Sequence, residues 1–301
     1  MRRIGVLLPL ASDDPVYQAW VGAFLQGLAL LGWTIGRNVR IDTRWVGANA
    51  AEIRKHAAEL AAVAPDVILA HGASTVGPLL QATRSVPIVF LGVADPVGAG
   101  FIDSLARPGG NATGFMAFEY SIGGKWLELL KQIAPAVMRV AVLRDSATPT
   151  GIGQFGVIQA VALSLRVEVT PVNVRDDAET GRSVAAFARS PNGGLIVTPG
   201  NRAQLHRDLI ITLAARHKLP AVYWDRNLVS AGGLISYGPD QTEQYRLAAG
   251  YVDRILRGEK PSDLPVQAPT RNETVLNLKT AKAMGITVPQ DILTAADEVI
   301  E

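Results

Sequence analysis

Short runs of Val, Ile and Leu alternate along the chain with stretches whose apolar residues recur every three or four positions. Residues 4–8 read as a first strand, 17–31 as a helix closed by Gly32, and 39–45 as an alternating strand. Residues 50–63 combine Ala, Leu and Ile with charges on the opposite face, which predicts a helix, and 67–70, 77–83 and 87–92 continue as strand, helix and strand. After Gly109-Gly110-Asn111 the pattern restarts with a helix at 124–133, a strand at 137–143 and a helix at 155–165. Segments 167–174, 178–188, 194–197, 207–217 and 221–224 extend it. Apolar runs this short, separated by helices, predict parallel sheets covered on both faces. Two series of similar size, the second over about 120–238, predict an α/β protein of two lobes. A further helix at 242–256, an extended stretch bracketed by Pro261, Pro265 and Pro269, and a short helix at 280–284 predict that the chain recrosses between them, with a cleft between two α/β halves. Ligands of open α/β sheets sit at the carboxyl ends of strands, so those loops are where chemistry is expected.

Composition narrows the function classes. The 301 residues are 48% hydrophobic and 19% charged, which is ample for packed cores and unlike a disordered chain. A net charge of +2 is too small to imply a nucleic-acid or membrane-surface partner. With no cysteine, disulfide frameworks, Cys-ligated zinc, iron–sulfur clusters and thiol nucleophiles all drop out. The start, Met1-Arg2-Arg3 before an apolar run, imitates an export signal, but Pro9 and the brevity of the run favour a first strand.

Gly151-Ile152-Gly153-Gln154-Phe155-Gly156 matches the dinucleotide fingerprint letter for letter. That motif needs its first glycine directly after a strand, whereas residues 145–150 intervene here, so coincidence is the favoured reading. His56, His71, His206 and His217 show no metal-ligand spacing, and only His71 falls at a strand end. The strand-end loops instead carry small polar residues, carboxylates and aromatics: Ser12 and Asp13 with Tyr17 close behind, Ser74 and Thr75, Asp95, Phe118 and Tyr120, Asn201, Trp224 and Asp225. Hydroxyls and amides at helix N-termini, one acidic partner and aromatic walls suit a zwitterionic or carboxylated small molecule.

Asp95-Pro96-Val97-Gly98-Ala99-Gly100-Phe101, followed by Arg107-Pro108-Gly109-Gly110-Asn111-Ala112-Thr113-Gly114, resembles the periplasmic substrate-binding proteins of ABC transporters, in the group with tryptophan- and phenylalanine-binding members. Leu31-Gly32-Trp33, Gly36-Arg37-Asn38-Val39, Gly232-Gly233-Leu234-Ile235-Ser236-Tyr237-Gly238 and residues 277–286 match as well, so the likeness spans nearly the whole chain. The resemblance implies a type I periplasmic-binding-protein fold: two Rossmann-like lobes with parallel sheets joined by three crossovers, residues 1–119 with 239–262 and 120–238 with 263–301. It also implies a periplasmic location, although no export signal is visible in this numbering.

Two functions follow as expectations. In the first, the protein is no enzyme. It needs no cofactor, metal or nucleic acid, and it captures an amino acid or aromatic carboxylate between the lobes for a permease. Ser12, Ser74, Thr75 and Asn201 then hydrogen-bond the carboxylate, Asp95 or Asp225 offsets an ammonium, and Tyr17, Phe118, Tyr120 and Trp224 wall the side chain. In the second, an α/β enzyme binds a nucleotide on the loop 151–156.

Overall fold

The structure, a computed structural model, describes residues 1–47 and 49–301. The first series runs β1 (Arg2–Leu8), α1 (Pro15–Leu30), β2 (Val39–Trp45), α2 (Ala50–Val63), β3 (Val67–His71), α3 (Ala73–Ala82), β4 (Ile88–Val93) and β5 (Ala112–Met116). The second runs α4 (Ile122–Ile133), β6 (Arg139–Arg144), α5 (Pro149–Ala162), β7 (Glu168–Asn173), α6 (Asp177–Phe187), β8 (Gly193–Val197), α7 (Asn201–Leu205), α8 (Arg207–Arg216), β9 (Ala221–Tyr223), α9 (Arg226–Ser230) and β10 (Ile235–Gly238). The chain closes with α10 (Gln241–Leu256), a 3₁₀ turn (Pro261–Asp263), β11 (Glu273–Asn277), α11 (Leu278–Met284), α12 (Gln290–Ala295) and β12 (Glu298–Ile300).

These elements form two compact units, Met1–Glu119 with Gln241–Thr270 and Tyr120–Asp240 with Arg271–Glu301. The chain therefore passes from one to the other three times. In the first unit the sheet order is β2-β1-β3-β4-β5, all parallel. Its strands carry apolar residues on both faces because both are covered. On one face Ile53 and Leu60 of α2 and Val76 and Leu79 of α3 pack against Leu7, Ile68 and Phe90. On the other, α1 lies along α10. That approach requires Gly27, since a Cβ there would stand 2.8 Å from the Ala249 Cβ.

The second unit repeats the same winding, β7-β6-β8-β9-β10, all parallel. It then adds β11 antiparallel to β10, with Gly238 opposite Glu273, and β12 beside β11. Trp126 of α4 is fully buried beneath this sheet and donates its indole N–H to the Tyr237 carbonyl at 2.7 Å.

The loop expected at 151–156 does not exist. Those residues lie in the first two turns of α5, which begins at Pro149 with Thr148 as its cap. Pro at the first helical position and a Thr cap are sufficient local reasons for this start. Gly151 serves packing: a Cβ there would lie 2.1 Å from the Asp145 carbonyl oxygen. No glycine-rich turn follows β6, so residues 151–156 do not form the dinucleotide fingerprint.

Candidate functional site

In each unit the carboxyl ends of the central strands carry the candidate residues. In the first unit, Ser12 and Asp13 are exposed after β1, and Asp14 caps α1 by accepting from the backbone N–H of Val16 and Tyr17 at 3.0 and 3.1 Å. Tyr17 itself turns inward. It is 2% exposed, its ring 4.7 Å from Trp20 and 5.0 Å from His71. Trp20, His71 and Tyr245 stack in turn, and the His71 Nδ1 and Tyr245 hydroxyl lie 3.0 Å apart. Burial pushes His71 down to about 3, so its imidazole is neutral.

After β3, Gly72 opens α3, and Ser74 sits half-buried in its first turn. Thr75 is buried and donates its hydroxyl to the backbone, 2.8 Å from the His71 carbonyl and 3.0 Å from that of Gly72. Asp95 follows β4 at φ +42°, a left-handed conformation uncommon for a residue other than glycine, and accepts from the Gly98 N–H at 2.9 Å. Phe118 follows β5 and is buried.

In the second unit, Tyr120 is half-buried and lies over Gly153 of α5, where a Cβ would come within 2.5 Å of its ring. After β6 the Arg144 guanidinium covers the Phe155 ring at 4.5 Å, and Asp145 pairs with Arg202 at 3.9 Å. Asn201 begins α7, half-buried. After β9, Trp224 is 6% exposed and its Nε1 has no hydrogen-bond partner. Asp225 is 2% exposed and caps α9, its Oδ1 accepting from the Asn227 N–H at 2.8 Å and from Asn227 Nδ2 at 2.7 Å. Burial pushes the Asp225 carboxyl up to about 6, and the two Asn227 hydrogen bonds work against that rise.

Ser12, Asp13, Ser74, Thr75, Asp95 and Phe118 thus follow strands of the first sheet, and Asn201, Trp224 and Asp225 follow strands of the second. Tyr17 follows β1 in sequence but is spent on the first unit's interior. Sequence reasoning did not find Arg202 or Arg226, whose carboxylate partners lie far along the chain. Among the described residues no group of three or more His, Cys, Asp or Glu could hold a metal ion.

The family model of the ABC transporter substrate binding proteins matches residues 3–300. The chain belongs to that family. A curated relative, a tyrosine-binding protein of Clostridioides difficile, is 24% identical over 261 residues, covering 87% of this chain and 75% of the relative. Among solved structures, this substrate-binding protein resembles a conserved domain protein from Vibrio cholerae at 26% identity and a TM-score of 0.92, covering 99% of both chains. It equally resembles a Streptococcus pneumonia ABC domain in complex with L-Trp, at 25% identity and a TM-score of 0.91, again over 99% of each. The family and these neighbours carry the two-unit type I periplasmic-binding fold. No helix among the described residues is long and apolar enough to cross a membrane.

Proposed function

We propose that this substrate-binding protein captures an amino acid with an aromatic side chain on the periplasmic side and delivers it to an ABC transporter permease. Strand-end loops supply the contacts. Ser12, Ser74 and Asn201, with the N-terminal end of the α3 dipole, take the carboxylate. Asp225 takes the ammonium, and Phe118, Tyr120 and Trp224 wall the ring. Thr75, its proton committed to the backbone, is left as an acceptor, and Asp95 shapes its loop. The observation that carries this reading is Asp225: a carboxyl at the end of a central strand, 2% exposed and pushed up to about 6 by its own burial. A buried acid kept at such cost has use for a cation. The relatives point the same way, one being called tyrosine-binding and another solved with L-Trp.

A thermal-shift panel of L-Trp, L-Tyr, L-Phe, aliphatic amino acids and dinucleotides tests it. A ligand that binds only the native state raises the midpoint by mass action. The expected result is a shift with one or more aromatic amino acids. A shift with aliphatic amino acids or dinucleotides alone overturns the proposal.

A further inference from the structure

The carboxyl ends of β6 and β7 carry buried polar atoms that bond to nothing in the protein. The two strands run in parallel register, with Arg144 opposite Asn173 as their last pair. Side chains of paired residues leave a sheet on the same face. The Arg144 guanidinium covers the Phe155 ring of α5 at 4.5 Å, so this is the face that α5 covers, and Asn173 shares it. α5 turns its buried stripe, Gly151, Gln154, Ile158 and Ala162, toward the sheet, and Gly151 abuts the Asp145 backbone just past the end of β6. Gln154, one turn further on, is 0% exposed, and neither its Oε1 nor its Nε2 has a hydrogen-bond partner. The buried Arg144 Nε and Asn173 Oδ1 have none either. An amide buried with both ends unbonded costs stability, and native interiors keep few of them.

We propose that Arg144, Gln154 and Asn173 form a subsite that reads a hydroxyl on the far end of the ligand's ring, so that the preferred substrate is an amino acid with a para-hydroxylated ring rather than a bare one. This rests on the reading of Asp225 as the ammonium partner. The chemistry of the unbonded atoms selects the group. Arg144 and the Gln154 Nε2 donate, while the Gln154 Oε1 and Asn173 Oδ1 accept. A carboxylate, which only accepts, would face two oxygens, and an ammonium, which only donates, would face a guanidinium. A hydroxyl does both: it accepts from Arg144 or the Gln154 amide and donates to Gln154 or Asn173. The spacing agrees. Asp225 follows β9, and β8 alone separates β9 from β6 in the sheet. Two strand spacings, about 10 Å, therefore lie between the ammonium partner and this subsite, the reach of a ring-hydroxylated amino acid hydrogen-bonded at both ends. Phe155, stacked on the guanidinium, braces Arg144 for that contact.

Calorimetry of the full chain with L-Tyr and L-Phe, which differ by that hydroxyl alone, tests the subsite. A site built to bond a hydroxyl rejects the analogue lacking it, because its own polar groups stay unpaired, so L-Tyr should bind about 100-fold or more tighter than L-Phe. Gln154→Leu, close in volume, should cut that ratio about 10-fold by weakening L-Tyr, while L-Phe binding holds and the thermal midpoint of the ligand-free protein does not fall. Arg144→Met should cut the ratio by a similar factor. Equal affinity for the two amino acids, or a ratio that survives both substitutions, overturns the proposal and leaves these atoms to a buried water. If neither amino acid binds, the reading of Asp225 fails by itself, and NMR of the Gln154 side-chain amide, assigned by difference against Gln154→Leu, still decides the subsite. Millimolar p-cresol should then shift that amide and toluene should not, whereas an equal response to the two, or none, overturns the proposal.

Discussion

Asp225→Asn separates ligand binding from stability and gives the two opposite signs. The Asp225 carboxyl stands at about 6 in the folded protein against an ordinary 3.8, with burial the largest cause. Its proton is held more tightly folded than unfolded, so ionising it costs stability. The sign follows: the penalty is absent below about pH 4, grows as pH rises from 4 to 6, and is complete above about pH 6. Two pH units at about 1.4 kcal/mol each give a penalty of about 3 kcal/mol. Asn caps a helix as well as Asp does, and its Oδ1 can still accept from Asn227, so the substitution removes the charge and little else. Urea denaturation of the ligand-free protein at pH 3.5 and 7.5 reads the difference. Asp225→Asn should match the parent at pH 3.5 and exceed it by up to about 3 kcal/mol at pH 7.5, while ligand affinity falls about 30-fold or more for want of the ion pair. A variant less stable than the parent at pH 7.5, or one that gains equally at both pH values, would refute this reasoning.

Other substitutions probe separate parts of the account. Trp224→Phe keeps an aromatic wall and deletes the pyrrole half of the indole with the Nε1 donor that has no protein partner; affinity by calorimetry should drop about 2- to 10-fold, and an unchanged affinity would leave that N–H without a role. His71, held near 3 against an ordinary 6.5, carries the opposite linkage to Asp225: it costs nothing above about pH 6.5, and stability falls as pH drops toward 3, by up to about 5 kcal/mol. His71→Gln, still able to bond the Tyr245 hydroxyl, should lose that dependence in the same denaturation series. Gly156→Ala, in an exposed stretch of α5 with nothing within 4 Å of the new Cβ, should stabilise by about 0.5–1 kcal/mol and leave ligand affinity alone.

Much of the architecture could be read from patterning. The periods of 39–45 and 50–63 coincide with β2 and α2 to the residue, because one alternates and the other keeps a clean apolar face. What escaped has local causes. β5, Ala-Thr-Gly-Phe-Met, lacks an apolar run, since Thr113 bonds the Leu264 carbonyl and Gly114 makes room for the Phe90 backbone, both partners distant in sequence. α3 begins at Ala73 rather than 77, for Ser74 and Thr75 look like turn residues, and Thr75 instead spends its hydroxyl on the His71 and Gly72 carbonyls just before the helix. At the site, the alternation of elements located the loops, while the apolar stripe Tyr17, Trp20, Phe24 and Leu28 sets the phase of α1 and turns Tyr17 inward. Arg226 was illegible because its partners Glu273 and Glu298 lie 47 and 72 residues away.

On the proposed reading, a buried carboxylate after β9 holds the ammonium of an aromatic amino acid. Titration calorimetry at pH 8 with L-Trp and L-Tyr against their N-acetyl derivatives, which keep ring and carboxylate and lose the charge, tests it most directly. The expected outcome is binding of a free amino acid and a loss of about 30-fold or more on acetylation. Equal affinity for the acetylated form would contradict it.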